Sequence, residues 1–382
     1  MNSGKDIIIK IENIAYGGYG IGRIDGKVVL VDSAIPGDVV QINFREEHRD
    51  YSVALIEKII EPSPSRITPD CPLSGICGGC TYLCSDYGTE LEFKRHIIKD
   101  QLKRIAGFTD ESLPQLETIS GNRYGYRSHT RFSSDRGIKG FYRKGTNETV
   151  PFPEQGCLLL ADELNCAIKD FKPDDAKQEI RAAMDCRSEV HFSSNASPQD
   201  IVESEEGFLF HRDINGFFQA NRFLRGEMIR KVTSLSTSDS NSTFLDICSG
   251  CGFFTLPLSA NAGNGYGFDI DRSGISFARK NTKINGITNV KFFNIPESEI
   301  KPHIYSPEVV VIDPPRSGLS KRGRKTVNAI KPDRIVYVSC NPSTFARDVR
   351  DFMKNGYSLE NLIFIDMFPC THHIELISLL TK

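Results

Sequence analysis

Three thiols stand close together in the run CPLSGICGGC, at Cys71, Cys77 and Cys80, with Gly78 and Gly79 between the last two. Thiols this close are ligand candidates before they are packing, and the glycines let backbone wrap a cluster and aim N–H groups at sulfur. A zinc site would show two balanced Cys-x2-Cys knuckles. The lopsided set suits an iron–sulfur cluster with one distant ligand, for which Cys84 and Cys157 compete. A structural zinc is the alternative.

A different thiol, Cys340, ends the apolar run IVYVSC, just before a helix expected to begin near Ser343. The positive end of that helix should lower the thiol's pKa and favour a nucleophilic thiolate; a small apolar filler would look the same. Glu375 interrupts the apolar strand of THHIELISLL near its start. An ionised carboxylate there is costly unless it serves something, as a general base or as an edge-strand charge. His372 and His373 read as polar residues of the preceding loop.

A nucleotide-type site comes from FLDICSGCGFFTLPL, a strand, a Gly250-x-Gly252 turn and a helix, where backbone can approach a ligand closely. Asp269 follows 23 residues after Asp246, at the end of the next strand, where an acid can hold ribose hydroxyls. Thr255 stands where a dinucleotide fingerprint has its third glycine, which favours S-adenosylmethionine over NAD. In VVVIDPPRSG a buried strand ends in an acid and two prolines, placing Asp313 at a rigid edge of the cleft. Arg316 follows them, where enzymes that methylate exocyclic amines carry an aromatic.

These residues need elements to hold them. Residues 6 to 60 read as about five short strands, with a hairpin at Asp25-Gly26 and a turn at Ile35-Pro36-Gly37-Asp38, and suggest a small oligonucleotide-binding type of barrel. EPSPSR (61–66) reads as a linker, and an amphipathic helix is expected from Thr89 to Ile105. Residues 120 to 215 read as a second, mostly β region. After Asn215 comes a helix in ANRFLRGEMIRKV, then a Ser/Thr-rich loop (233–243), then strictly alternating strands and helices. That alternation implies a doubly wound, Rossmann-like α/β domain with ligands at the carboxyl ends of its strands. The expected division is therefore 1–62, a small β-barrel; 63–215, a mostly β, cluster-bearing region; and 216–382, the α/β domain.

Apolar residues are 39% and charged residues 25%, as in globular proteins. No apolar run approaches the ~18 residues of a membrane span, and the start of the chain lacks the pattern of a signal peptide. A cytoplasmic protein is expected, its eleven cysteines reduced or metal-bound. Net charge is −2, yet between Arg316 and Arg334 seven basic residues face one acid, Asp333. Such a patch grips phosphates or is simply a solvated helix face.

Together these segments resemble the RNA uracil-5-methyltransferase family, specifically the branch with a TRAM barrel and an iron–sulfur cluster. The marks are IPGD, CPLSGICGGC, FFQAN (217–221), IDPPRSG, SCNPSTFARD and THHIE, in order over nearly the whole chain. The resemblance implies Cys340 as nucleophile and Glu375 as base. It selects Cys157 beside Cys71, Cys77 and Cys80 as ligands of a 4Fe-4S cluster, and puts Gln219, Asp269 and Asp313, with Cys248 and Asn294, on cofactor-contacting positions. The chain departs from the family where Ile247-Cys248-Ser249-Gly250 replaces an aromatic–cysteine–glycine run and where Phe253 replaces a small polar residue. The implied activity is transfer of methyl from S-adenosylmethionine to carbon-5 of a uridine in structured rRNA or tRNA, by a monomer. Rivals are a non-covalent methyltransferase acting on an exocyclic amine, and a non-catalytic, metal-stapled RNA-binding protein.

Overall fold

A computed structural model describes residues 7–174, 176–194, 197–236 and 242–382; residues 1–6 of the expected barrel and 237–241 of the Ser/Thr-rich loop lie outside these. In chain order the first strands are β1 (Ile7–Lys10), β2 (Asn13–Ala15), β3 (Tyr19–Ile24), β4 (Lys27–Asp32), β5 (Val39–Glu47) and β6 (Tyr51–Glu61). Helix α1 (Tyr87–Gln101) precedes β7 (Leu116–Ile119), β8 (His129–Asp135), β9 (Ile138–Tyr142), β10 (Thr149–Pro151) and α2 (Asp162–Asp170). Then come β11 (Gln178–Met184), β12 (Val190–Ser194), β13 (Asp200–Glu205), β14 (Phe208–Asp213), α3 (Arg225–Ser236), β15 (Thr243–Ile247) and α4 (Thr255–Ser259). The chain continues through β16 (Asn264–Phe268), α5 (Arg272–Ile284), β17 (Val290–Phe293), α6 (Pro302–Tyr305), β18 (Val309–Ile312) and α7 (Lys321–Ile330). It ends with β19 (Arg334–Ser339), α8 (Pro342–Met353), β20 (Ser358–Ile365) and β21 (Glu375–Thr381). No helix among the described residues is long and apolar enough to cross a membrane.

Two compact units result, each assembled from separated segments. The first takes the chain up to Asp100 with 140–155 and 368–373; the second takes the rest.

In the first unit, β1 to β6 form one sheet in the order β1-β5-β6-β4-β3-β2, one strand more than expected. Alternate residues face one core of Ile9, Ile11, Val29, Val31, Val40, Ile42 and Ala54. The glycine-rich stretch is explained by β3: a Cβ on Gly22 would stand 2.5 Å from the Ile9 side chain and 2.7 Å from the Lys10 carbonyl oxygen. Only glycine admits that approach. The segment 61–66 is no free linker. Buried Asp38 accepts from Ile35 N, Ser63 N and, through both oxygens, the Arg66 guanidinium at 2.7 Å, while Arg66 also donates to Ser33 O. A bidentate pair of this kind is among the stronger polar contacts available.

Helix α1 matches its expected position and passes into a π-helical turn, Leu102–Ala106, that stops at Gly107 with φ 85°. On α1, Glu90 and Lys94 form a fully buried i,i+4 ion pair at 2.8 Å. Glu90 also accepts from Cys370 N and Lys94 donates to Phe368 O, so the pair clamps the segment 368–373. The same segment is held by Thr81 N and Tyr82 N, both donating to Cys370 O.

The second unit is built on an eight-stranded sheet, β17-β16-β15-β18-β19-β21-β20-β7. Strands β15 to β19 run parallel, β21 lies antiparallel between β19 and β20, and β7 adds a parallel edge. Val309–Ile312 and Ile335–Val338 are buried throughout, as a sheet covered on both faces requires. Strand order reverses between β15 and β18, the switch point where open α/β sheets bind ligands.

Residues 120 to 215 are mostly β, with β8, β11 and β12 antiparallel neighbours and β13–β14 a hairpin, but they also hold α2. That helix has no side-chain cap at its start, and its last carbonyls are collected by Lys139 Nζ, which donates to Ile168 O, Lys169 O and Phe171 O at 2.6 Å each. Its stop signal comes from a distant strand, so nothing local announces it. Helix α3 starts at Arg225 rather than 220, because Asn221 Oδ1 takes Phe223 N and Leu224 N while its Nδ2 donates to Met367 O.

Lys94→Met would strand Glu90 as an uncompensated buried charge, costing about 3–5 kcal/mol. A marked fall in thermal midpoint is expected, partly recovered in Glu90→Gln/Lys94→Met; equal midpoints for Lys94→Met and wild type would count against the clamp.

Candidate active site

The carboxyl edge of the parallel strands gathers most of the expected residues. Past the end of β15 the chain turns sharply: Cys248 adopts φ 66°, Gly250 φ 52° and Gly252 φ 93°. Cys248 N and Ser249 N both donate to Phe268 O. A side chain on Gly250 would meet nothing within 4 Å, whereas one on Gly252 would strike Leu256. The turn is therefore open where a ligand would lie and closed beneath.

Asp269 fastens the turn from the neighbouring strand. Its Oδ2 accepts from Gly250 N at 2.8 Å, its Oδ1 from Asp271 N, and Asn294 Nδ2 donates to its carbonyl. Asp246 is wholly buried, with Oδ2 bonded to Thr255 Oγ1 and Oδ1 unpartnered. Burial raises its pKa to about 7, with Asp269 adding to the effect. Gln219 Oε1 and Ser249 Oγ are likewise buried and without partners. Buried polar atoms left open in this way cost free energy unless a ligand meets them. A polar small molecule lying over Gly250 fits this donor and acceptor set.

Gln219 sits in FFQAN, and Phe218 beneath it is enclosed. Arg212 and Arg225 lie over its ring, both paired to buried Glu203, and Phe253 packs edge-on at 5.3 Å. Phe253, a departure from the family pattern, is thus a core ring of the cluster with Phe210, Phe218 and Phe254. Phe217 is the opposite, 76% exposed. Its neighbour but one, Gln219, is buried, a contrast in exposure that the residue order FFQAN does not mark.

The second half of the site lies at β18, β19 and β21. Ser339, the last residue of β19, pairs with Leu376, so Cys340 and Glu375 leave adjacent ends of neighbouring strands, near enough for the carboxyl to act on the thiol. Asp313 leaves β18 beside them, its N–H donated to Ile247 O. The Pro-Pro-Arg-Ser-Gly loop after it is bound to the helix that follows Cys340: Asn341 Nδ2 and Thr344 Oγ1 both donate to Arg316 O. Buried Asp348 accepts from Leu319 N, Tyr337 Oη, Arg324 and Arg347. Loop, strand and helix are one fastened block.

Electrostatics here reverse one expectation. The start of α8 does not make Cys340 acidic. Burial pushes its thiol up to about 12, with the Glu375 and Asp313 carboxyls adding to the rise and Arg316 opposing it. The helix end is already answered, since Asn341 Oδ1 accepts from Ser343 N. Burial also lifts Glu375 well above the ordinary carboxylate range, and Asp313 raises it further. Asp313 itself is raised to about 7 by burial and by Asp246 and Asp269. Cys340 is therefore a thiol at neutral pH, and Arg316 is the cation that opposes the rise at both groups.

This arrangement has close counterparts. A family model for tRNA (uracil-5-)-methyltransferase matches residues 189–382, and a TRAM domain matches residues 2–53. An uncharacterised RNA methyltransferase of Aquifex aeolicus is 33% identical, over 98% of this chain and 98% of its own. Another, from Leptospira interrogans, is 27% identical over 97% and 94%. The tRNA (uracil-54, C5)-methyltransferase of Pyrococcus abyssi, solved with S-adenosyl-L-homocysteine, superposes with a TM-score of 0.76 at 26% identity, covering 98% of this chain and all of that one.

The chain belongs to the tRNA (uracil-5-)-methyltransferase family. It is an S-adenosylmethionine-dependent RNA methyltransferase with an N-terminal TRAM domain. In this methyltransferase the cysteine run belongs to the first unit. Cys71, Cys77 and Cys80 are half-buried in a turn-rich segment, none in a disulfide, with Gly79 N donating to Cys77 Sγ at 3.4 Å. The β9–β10 hairpin braces them through Gly78 N to Tyr142 O and Lys144 N to Ile76 O. Cys84 is buried against Arg66. Cys157, in the second unit, is half-buried and clamped by Asn165, whose side chain bonds both its N–H and its carbonyl.

Because the Cys340 pKa is raised, the reactive thiolate grows as pH climbs towards about 12. Alkylation of Cys340 by iodoacetamide, followed by mass spectrometry, should rise steadily between pH 7 and 10, faster in Glu375→Gln. A plateau near pH 7 would contradict this electrostatic picture.

Proposed function

We propose that this methyltransferase modifies carbon-5 of a uridine through a covalent adduct, with Cys340 as nucleophile and Glu375 as base. The observation that carries this reading is the pairing of Ser339 with Leu376, which brings the next residues, Cys340 and Glu375, to neighbouring strand ends within electrostatic reach of each other. Bound S-adenosylmethionine supplies an electrophilic methyl group. Uracil carbon-5 is too weak a nucleophile to take it unaided. Cys340 first releases its proton to water; its thiolate then adds to carbon-6, which saturates the ring and places enolate density on carbon-5. After transfer the carbon-5 proton must leave before the thiolate can be expelled. A carboxyl whose pKa lies above the ordinary range is, once ionised, a stronger base than an exposed one. Asp313, Asp269, Gln219, Cys248 and Asn294 hold and orient the cofactor, with Asp313 and Arg316 also setting the charge around the sulfur.

The uridine must be extruded from its stack to reach this edge, and exposed Phe217 offers a face for it. The working division is a TRAM barrel over 1–62, a region over 63–215 that carries the cysteine run, and the catalytic domain over 216–382. The substrate is a loop of structured rRNA or tRNA, since unpaired bases are what RNA-reading proteins recognise.

Cys71, Cys77, Cys80 and Cys157 would hold a 4Fe-4S cluster. Three thiols free of disulfides on a glycine-containing turn, one already accepting a backbone N–H, fit thiolate ligation. Such a cluster would staple irregular backbone, and no methyl-transfer step passes through it.

Cys340→Ala is expected to lose methyl transfer and any denaturant-stable RNA adduct, and Glu375→Gln to accumulate that adduct on gels of labelled RNA. Methylation of uridine by Cys340→Ala would overturn the covalent scheme. Anaerobically purified protein should carry about four irons per chain, lost in Cys77→Ser. Zinc in their place would refute the cluster.

A further inference from the structure

Helix α7 carries the basic run, and the structure splits it into two populations. Arg324 turns inward, donating to Leu319 O and pairing with buried Asp348 and with Asp351. Lys321, Arg322 and Lys325 are exposed and make no hydrogen bond or ion pair among the described residues. Their spacing puts them on one face, Lys325 lying one turn beyond both others. Some cations elsewhere are paired, Arg143 with Glu148 and Arg230 with Glu206 and Glu227, while others such as Lys58 and Lys283 stand exposed singly; on α7 three such cations share one helix face. Glu297 lies against Gly323, on the buried side of the helix, with Oε1 2.7 Å from where a Cβ would stand. It does not reach the outward face. Like charges at these spacings weaken a helix, a standing cost that an anion would relieve.

Position matters as much as charge. Helix α7 follows the carboxyl end of β18 and returns to the start of parallel β19. Its first turn therefore lies at the edge that bears Asp313 and Cys340, and Arg316 begins the short connection to it. Lys331 lies at the far end, roughly 15 Å away along the axis, in the company of Asp333 and Lys382.

We propose that Lys321, Arg322 and Lys325 form a docking face for the phosphate backbone of the RNA substrate, next to the nucleotide that enters the Cys340 site. This rests on the reading of that edge as the place where uridine is methylated. Phosphate contacts fix register without reading sequence, which is what a face of solvated lysine and arginine side chains can do.

The test uses the full-length protein and unmodified RNA from a strain lacking the gene, with the KM for RNA measured at several KCl concentrations. Lys321→Ala/Arg322→Ala/Lys325→Ala should raise that KM about tenfold or more and lower the salt slope by about 2, at roughly 0.7 per phosphate on single strands. Its kcat and affinity for S-adenosylmethionine should match wild type, and Lys331→Ala should change nothing. A wild-type KM and salt slope in the triple variant, or an equal effect of Lys331→Ala, would overturn the proposal. Should the triple variant lose cofactor binding, the single Lys321→Glu and Lys325→Glu variants decide, each raising KM if the face is used. The position of the methyl group is read separately: a product other than 5-methyluridine would defeat the uridine reading while leaving the salt slopes to judge the face.

Discussion

Asp246, Asp269, Asp313 and Glu375 converge with the Cys340 thiol at one edge of a parallel sheet, mostly out of water, and this crowding governs the rest of the site. Each carboxyl there has its pKa raised, by burial first and by its neighbours second. The folded state therefore keeps protons that the unfolded chain would release, so these groups weaken stability as pH rises from about 4 towards 7. The same crowding leaves open polar atoms on Asp246, Gln219 and Ser249 and brings the Glu375 carboxyl within electrostatic reach of the Cys340 thiol.

A site this strained needs rigid support, and the chain supplies it in a repeated way. Irregular segments are fixed by buried carboxylates that collect backbone N–H groups and a cation. Asp348 does so for the loop after the double proline, and Asp38 for the segment 61–66. Glu90 does so with Lys94 for 368–373, while Glu203 instead pairs with two arginines that lie over Phe218. Removing one partner from any of these leaves a charge stranded in the interior, which is why they act as firm anchors though each contributes little net stability as a pair.

The basic helix shows the reverse principle. Where a positive charge is needed for structure, as at Arg324, the fold turns it inward and neutralises it. Lys321, Arg322 and Lys325 stay outside without an ion pair among the described residues, which is the basis for proposing them as an RNA-docking face.

Much of this was legible in the residues alone. Period-two alternation and turn chemistry gave the N-terminal sheet, apolar runs ending in Asp or Cys gave the parallel strands, and Asp269, Asp313, Cys340 and Glu375 were marked because chemistry-bearing types stood at strand ends. These signals are local, and local sequence decides them. What the sequence could not hold is what depends on distant partners. Helix α2 ends on a lysine from another strand, segment 61–66 is pinned by an aspartate more than twenty residues earlier, and Phe253 proved to be a core ring. The pKa of Cys340 is the clearest case. A helix start predicts an acidic thiol, but burial and two carboxyls from separate strands outweigh it, because desolvation and Coulomb terms depend on three-dimensional neighbours that no sequence spacing records.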